Sequence, residues 1–176
     1  MISAQAISAI EAIFAKAARN NLALAPGDDI QVERLPDAPF EPAERHLFIF
    51  TIASFQFKLL IIFHIDSDPL IAAYFNRSET KVAVEALFPE VGNMCCGEMN
   101  RDLGCHFPHL GMSTPYQLDR QCASHLDVLR PGHVARHRIT LNNAVSLHAT
   151  LCLRAYAPVD FVFSPAAQET GTIELF

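Results

Sequence analysis

The stretch PEVGNMCCGEMNRDLG, residues Pro89–Gly104, decides how the rest of the chain is interpreted. At about 100° per residue it predicts a helix with two unlike faces. The apolar face carries Phe88, Val91, Cys95, Met99 and Leu103. The opposite face is polar or small and carries Ala86, Glu90, Asn93, Gly97, Asn100 and Arg101. Two acidic residues, Glu98 and Asp102, fall at the margins of the apolar side, so the division is imperfect.

The polar face places a carboxylate and a carboxamide, Glu90 and Asn93, one helical turn apart. The small residues Ala86 and Gly97 flank this pair and would let another surface come close. Pro89 suits the first turn of a helix, or a kink in a longer one, because it has no N–H to donate. On spacing alone, an ordinary surface helix also explains the pattern, since such helices commonly carry polar residues three apart.

The helix resembles the signature of the CheC/CheX/FliY family of chemotaxis phosphatases. The core of that signature is E-x-x-N followed four residues later by glycine, which corresponds here to Glu90, Asn93 and Gly97. Downstream, Met112-Ser113-Thr114-Pro115 stands where the family usually carries a short strand with a proline. No second E-x-x-N occurs in a helical context, which favours the single-site CheX branch over the two-site CheC branch.

The resemblance is uneven along the chain. The order of predicted elements follows the family over residues Leu47 to Tyr156, whereas the motifs are confined to Pro89–Pro115. The family's strand pair usually turns at glycines, and this chain has Ala53-Ser54-Phe55 there instead. Pro89 directly before the glutamate and the Cys95-Cys96 pair also depart from the family's pattern.

Composition excludes several classes of protein. With 176 residues, of which 51% are hydrophobic, the chain is long enough for one domain with a sizeable core and too apolar for disorder. The net charge of −6 and the absence of a basic block disfavour binding to nucleic acid. Five cysteines and an N-terminus unlike a secretory signal indicate free thiols in the cytoplasm.

Leu47–Ile65 is apolar over a length that could span a bilayer. Gln56 and Lys58 lie in its middle, and it is rich in β-branched and aromatic residues. The stretch therefore predicts two buried strands, Leu47–Ala53 and Gln56–Ile65, turning near Ser54. Their nearly continuous hydrophobicity implies that both faces of the sheet are covered, and no contact with a membrane is expected.

The other elements follow from periodicity and turn residues. Ile2–Ala18 predicts an amphipathic helix, and the prolines of Ile30–Glu44 predict an irregular or edge segment. A short helix is predicted after Asp66–Pro69, with Asp66 or Ser67 as its N-cap, and another from Ser78 and Glu79 into the long helix. Predicted strands are Ser113–Leu118, His133–Leu141, Ala144–Tyr156 and an edge strand Val159–Phe163, with a helical turn at Gln121–Leu129 and a tight turn at Asn142-Asn143.

These elements predict an α+β fold in which a mostly antiparallel sheet packs against long helices, as in CheC and CheX. One domain over residues 1–176 is expected, divided into an N-terminal helix and proline-rich loop (1–45), a core (46–164) and a C-terminal tail (165–176). The strands are long and apolar, and the resemblance to single-site members of the family implies a homodimer. We therefore expect a C2 dimer with at least about 1,000 Å² of interface.

The resemblance implies hydrolysis of the aspartyl-phosphate on a CheY-like response-regulator receiver domain, in chemotaxis or two-component signalling. It implies that Asn93 positions the attacking water and that Glu90 pairs with a lysine of the receiver. Ala86, Gly97, Asn100 and Arg101 are then the partner-facing residues. No cofactor of its own is expected, since the Mg²⁺ belongs to the receiver. A non-catalytic receiver-binding module or dimeric adaptor of the same fold is the alternative.

A zinc site is a rival hypothesis, with Cys105, His106, His109, Cys122 and His125 as its candidate ligands. The spacing of Cys122 and His125 suits zinc, although no paired C-x-x-C is present. Loop histidines and buried free thiols explain the same residues without a metal. His133 and His137 alternate with apolar residues on a predicted strand, which indicates a solvated strand face. Neither a G-x-S-x-G elbow nor a glycine-rich phosphate loop occurs.

Overall fold

The computed structural model describes residues 1–37, 44–66, 68–76 and 82–164. Its helices are α1 (Ala4–Leu22), α2 (Pro69–Phe75), α3 (Val84–Gly104) and a 3₁₀ helix (Arg120–Leu129). Its strands are β1 (Ile30–Arg34), β2 (His46–Ala53), β3 (Phe57–Ile65), β4 (Gly111–Met112), β5 (Tyr116–Asp119), β6 (His133–Leu141) and β7 (Val145–Ala155). The fold is therefore α+β, as the sequence predicts.

The strands form one antiparallel sheet in the order β1-β6-β7-β3-β2-β4, and β5 also pairs with β2. Alternate residues of β3, such as Leu59, Ile61 and Phe63, belong to the main core together with the buried residues of α1 and α3. We call this side of the sheet the inner face. The residues between them, such as Leu60 and Ile62, lie on the outer face, against Ala123 and Leu126 of the 3₁₀ helix.

The apolar stretch Leu47–Ile65 forms the hairpin β2–β3, as predicted. The Ser54 amide donates to the Phe57 carbonyl at 2.9 Å, and the Ser54 hydroxyl accepts from the Gln56 amide at 3.0 Å. These bonds allow a serine to close a turn where the family usually has glycines. Lys58 is the one exposed residue of β3, so both faces of the strand are covered, as its hydrophobicity predicts. Within the described residues, no helix is long and apolar enough to cross a membrane.

The predicted turn between β6 and β7 is also present. Asn142 and Asn143 have φ of 52° and 54°, in the left-handed region that asparagine tolerates better than most residues. The Ala144 amide donates to the Leu141 carbonyl at 3.1 Å and closes the turn. This hairpin sets the register in which β6 and β7 carry polar residues towards both faces of the sheet.

Several boundaries differ from the predictions: the strand predicted at Ser113–Leu118, for example, covers Tyr116–Asp119. Asp68 caps helix α2 by accepting a hydrogen bond from the Leu70 amide at 2.6 Å, because Pro69 occupies the first helical position. Asp66 is therefore not the cap, and Ser67 lies outside the described residues. Val159–Phe163 is not a strand, since only an isolated bridge joins Val159 to Ile2. The helix predicted from Ser78 and Glu79 also lies outside the described residues.

Candidate functional site

Helix α3 lies on the inner face of the sheet and buries one side of its surface. Phe88, Cys95, Met99 and Leu103 are fully buried, as the apolar stripe predicts, and Val91 is half-buried. Phe88 packs in the main core against the rings of Phe48 and Phe63, with ring centroids 5.5 and 5.2 Å away. This packing fixes which side of the helix faces outwards.

A glycine that the sequence analysis does not single out sets how close α3 lies to the sheet. A Cβ atom on Gly92 would lie 2.5 Å from Cζ and 2.7 Å from Cε2 of Phe50 on strand β2. Such distances are far below van der Waals contact, so the ring of Phe50 occupies the space that any larger residue would need. Gly92 is therefore a packing residue of the helix–sheet interface.

The outward side of α3 carries the residues that the sequence analysis proposes as a site. Ala86, Glu90 and Arg101 are exposed, whereas Asn93, Gly97 and Asn100 are half-buried. The fold thus presents all six on the side of α3 opposite its apolar stripe. Met94, which the helical pattern does not assign to the site, lies among them and is 56% exposed.

Gly97 differs from Gly92 in what surrounds it. A Cβ atom on Gly97 would meet only the Arg101 Nη1 atom, at 3.9 Å. Nothing in the described residues thus requires a glycine here, and the position leaves open space above the helix. A flat, small position beside Glu90 and Asn93 is suited to the close approach of a second surface.

The Glu90 and Asn93 side chains make no hydrogen bond or ion pair with another residue in the described part of the chain. Asn100 is different, because its Oδ1 atom is buried and finds no hydrogen-bond partner among the described residues. An exposed carboxylate can accept hydrogen bonds from a cation, and a carboxamide can both donate and accept. The pair is therefore free to engage groups supplied by another molecule.

Pro89 lies inside helix α3 and not at its start, since the helix begins at Val84. A proline in the second turn removes one helix hydrogen bond. The residue before Val84 provides no side-chain cap either. The N-terminal part of α3 therefore lacks a side-chain cap, and burial of Val84 and Phe88 supports the backbone bonds from the Ala86 and Leu87 amides to the Ala83 carbonyl.

Glu98 and Asp102 form a polar seam between α3 and α1, which the sequence analysis places only at the margin of the apolar side. Asn20 and Asn21 donate through their amides to Glu98 Oε1 and Oε2 at 2.7 and 2.6 Å. Lys16 Nζ lies 3.1 Å from Asp102 Oδ2 and 3.6 Å from Glu98 Oε1. The signal that could have revealed this seam is the spacing of four between Glu98 and Asp102, matched by Lys16 and Asn20 on α1.

The prediction that His133 and His137 lie on a solvated face of β6 is wrong. His137 is 3% exposed and its ring lies 5.1 Å from that of Phe14 on α1, because β6 directs these residues to the inner face. His133 Nε2 lies 3.0 Å from Glu11 Oε1, and His137 Nε2 lies 3.8 Å from Glu11 Oε2. Burial lowers the pKa of His137 to about 4, with Arg34 and His133 acting in the same direction. These histidines therefore anchor α1 to the sheet.

The cysteines divide into buried and exposed thiols. Cys95, Cys96 and Cys152 are buried, and Cys105 and Cys122 are exposed. Burial raises the pKa of the Cys95 and Cys96 thiols, so both stay protonated and unreactive at neutral pH. Cys96 is fully buried, although the helical pattern places it nearer the boundary.

The sheet separates the residues proposed as zinc ligands. Cys105 and His106 follow α3 on the inner side, where the His106 ring lies 4.8 Å from Phe161 of the main core. Cys122 and His125 belong to the 3₁₀ helix, which covers the outer face. Within the ranges that the structure describes, no group of three or more His, Cys, Asp or Glu residues could hold a metal ion.

Comparison with known proteins gives structural matches only. No protein-family model matches the sequence, and no curated protein does so either. A protein ascribed to chemotaxis from Desulfovibrio vulgaris Hildenborough superposes with a TM-score of 0.61 at 14% identity, covering 82% of this chain and 96% of that one. CheX from Vibrio vulnificus gives a TM-score of 0.56 at 12% identity, covering 86% and 100%.

A third solved structure is the CheX–CheY–BeF3–Mg²⁺ complex from Borrelia burgdorferi. It superposes with a TM-score of 0.58 at 15% identity and covers 84% of this chain and 97% of that one. At these identities the matches establish the arrangement of helices and strands and not the chemistry. The chain therefore has the fold of the CheC/CheX/FliY proteins of chemotaxis.

Proposed function

We propose that this chain is a CheX-like phosphatase that hydrolyses the aspartyl-phosphate of a response-regulator receiver domain. The observation that carries the proposal is Glu90, an exposed carboxylate one turn from a carboxamide and without a partner among the described residues. It lies on a fold shared with a CheX that has been solved in complex with CheY. Glu98 of the same helix, by contrast, has both of its oxygens bonded within the chain.

In this proposal Asn93 positions the attacking water. Phosphoryl transfer has a loose transition state, so catalysis depends mainly on alignment and on stabilisation of charge. The Asn93 amide holds the water in line with phosphorus. The water oxygen bonds to phosphorus, the bond from phosphorus to the aspartyl oxygen breaks, and free aspartate and inorganic phosphate result. The receiver supplies both the phosphorylated aspartate and the Mg²⁺, and this chain supplies neither a nucleophile nor a metal.

Glu90 has a different task, since it sets the register between the two proteins by pairing with a lysine of the receiver. Ala86 and Gly97 let the partner's surface approach the helix, and the absence of neighbours around Gly97 supports this role. Asn100 and Arg101 extend the contact by one turn.

The test is release of phosphate from a Mg²⁺-loaded, phosphorylated receiver encoded near this chain, together with its affinity for the BeF₃⁻ form of that receiver. Asn93→Ala should leave affinity nearly unchanged and slow dephosphorylation by about 10²-fold or more, equivalent to roughly 2.7 kcal/mol of transition-state stabilisation. Glu90→Ala should weaken binding and make it less sensitive to salt, because an intermolecular ion pair is lost. Glu33→Ala, an exposed glutamate at the far edge of the sheet, is the matched control and should change neither quantity.

Two results would count against the proposal. Full activity in Asn93→Ala would mean that the helix carries the family's signature without its chemistry. Binding of the receiver by the wild-type chain without any release of phosphate would instead identify a non-catalytic receiver-binding module.

A further inference from the structure

The outer face of the sheet carries an apolar groove that the proposed function does not use. The groove lies between the sheet and the 3₁₀ helix and is lined by Leu47, Ile49, Leu60, Ile62, Leu126 and Leu129. Its volume is about 290 Å³, and a smaller cavity of about 90 Å³ adjoins it and shares Lys58, Leu60 and Leu129. We call these two cavities together the outer groove.

The 3₁₀ helix covers this face incompletely. None of its residues is buried, and Val128 is 76% exposed. Several of the exposed large apolar side chains of the described residues lie around the outer groove: Tyr116, Leu118, Val128, Leu129 and Tyr156. Exposed apolar side chains scattered singly are ordinary, but a contiguous set around a cavity marks a binding surface.

Positive charge collects at one end of the outer groove, although the chain as a whole is acidic. Lys58 and Arg154 line the groove from directly opposite positions on β3 and β7. Like charges in that arrangement repel each other. Neither side chain has a carboxylate within ion-pair distance among the described residues, and the nearby Arg130 has none either.

Arg154 is held in place while most of its donors stay unused. Its Nη1 atom donates to the Leu129 carbonyl at 3.1 Å, and its guanidinium lies 5.3 Å from the centroid of the Tyr156 ring. A guanidinium has five N–H donors in a fixed fork, which suits a carboxylate or phosphate. The arginine is thus oriented at the mouth of an apolar cavity and lacks an anionic partner among the residues that the structure describes.

We propose that the outer groove binds a small amphiphilic anion, namely a medium-chain carboxylate whose chain lies along the apolar lining and whose head group contacts Lys58 and Arg154. An apolar pocket with a few polar groups at one end is the usual form of a small-molecule site. The volume is near the lower end for such sites, about 300 Å³. The negative charge of Asp127, which helps to raise the pKa of Cys152 in the groove, opposes the anion.

Titration calorimetry with decanoate tests the proposal on the full chain, with decanol as the uncharged ligand of the same chain length. Decanoate should bind, and Lys58→Glu and Arg154→Glu should each weaken it by about tenfold or more, as expected for loss of a hydrogen bond to a charged group. Decanol binding should change little in these variants. Asp127→Asn should strengthen decanoate binding, and Arg19→Glu, the same charge reversal at the end of α1, should leave it unchanged.

The location is tested by methyl NMR, in which the signals of Ile49 and Ile62 should shift on addition of decanoate. Ala123→Phe, which narrows the groove from the 3₁₀ helix, should weaken decanoate and decanol alike. Absence of binding, or decanoate binding that survives both charge reversals, would overturn the proposal. A dimer would also overturn it, if light scattering shows the dimer and methyl NMR shows that a second copy of the chain covers the same methyl groups.

Discussion

Two glutamates of helix α3, about two turns apart, differ in burial and in their hydrogen-bond partners. Glu98 is buried against α1, where the amides of Asn20 and Asn21 bond both of its oxygens and Lys16 lies 3.6 Å away. Glu90 is exposed and has no partner among the described residues. A carboxylate satisfied inside its own fold stabilises that fold, whereas one left open is available to another molecule. The comparison separates the side of α3 that is satisfied within the fold from the side that we propose to be functional.

The largest expected effect is at the buried glutamate. Glu98→Ala should reduce the free energy of unfolding by about 3 kcal/mol, because Lys16, Asn20 and Asn21 lose a partner in a largely buried site. Glu90→Ala should change it by less than about 0.5 kcal/mol. Urea unfolding of both variants provides the measurement. Equal losses in the two variants would remove the distinction between the two sides of the helix.

Gly92 and Gly97 of α3 allow the same comparison at positions that carry no charge. Gly92→Ala should destabilise the protein by about 1–3 kcal/mol, because the new Cβ meets the ring of Phe50. Gly97→Ala should stabilise it by up to about 1 kcal/mol, because alanine is the better helix former and the space is open. Thermal unfolding of both variants shows whether stability falls in Gly92→Ala and rises in Gly97→Ala.

Substitution of Gly97 also tests the proposed docking of the receiver. Gly97→Ala should weaken receiver binding even though it stabilises the chain, since its methyl group stands where a partner would approach. A Gly97→Ala variant that binds the receiver as well as the wild type would place the contact elsewhere on the helix.

The last effect is small near neutral pH, grows on acidification and concerns the buried histidine of the inner face. The pKa of His137 is about 4 in the folded chain, below the ordinary value of 6.5, so the unfolded chain binds more protons between these pH values. Stability should therefore fall as the pH is lowered from 6.5 towards 4, with a slope from this group of at most about 1.4 kcal/mol per pH unit. His137→Leu should reduce the pH dependence of urea unfolding over that interval. An unchanged dependence would assign it to other groups, such as His64, whose pKa burial also lowers to about 4.

The sequence alone determined the elements whose patterns are local. The hairpin at Ser54, the turn at Asn142 and Asn143 and the buried stripe of α3 follow from period and turn chemistry, because each depends on residues close in the chain. The α+β class and the outward side of α3 were predictable for the same reason. The roles of Glu90 and Asn93 and the homodimer stay predictions.

Only the tertiary structure decided which polar residues are structural. Glu98, Asp102, His133 and His137 have the same chemical character as exposed residues, and their burial depends on α1, which is distant in the sequence. The requirement for glycine at position 92 depends on Phe50 of another element. The outer groove likewise exists only because a helix of ten residues covers a wider sheet face. Periodicity shows that a face is covered, but the packing of distant segments determines what covers it and how completely.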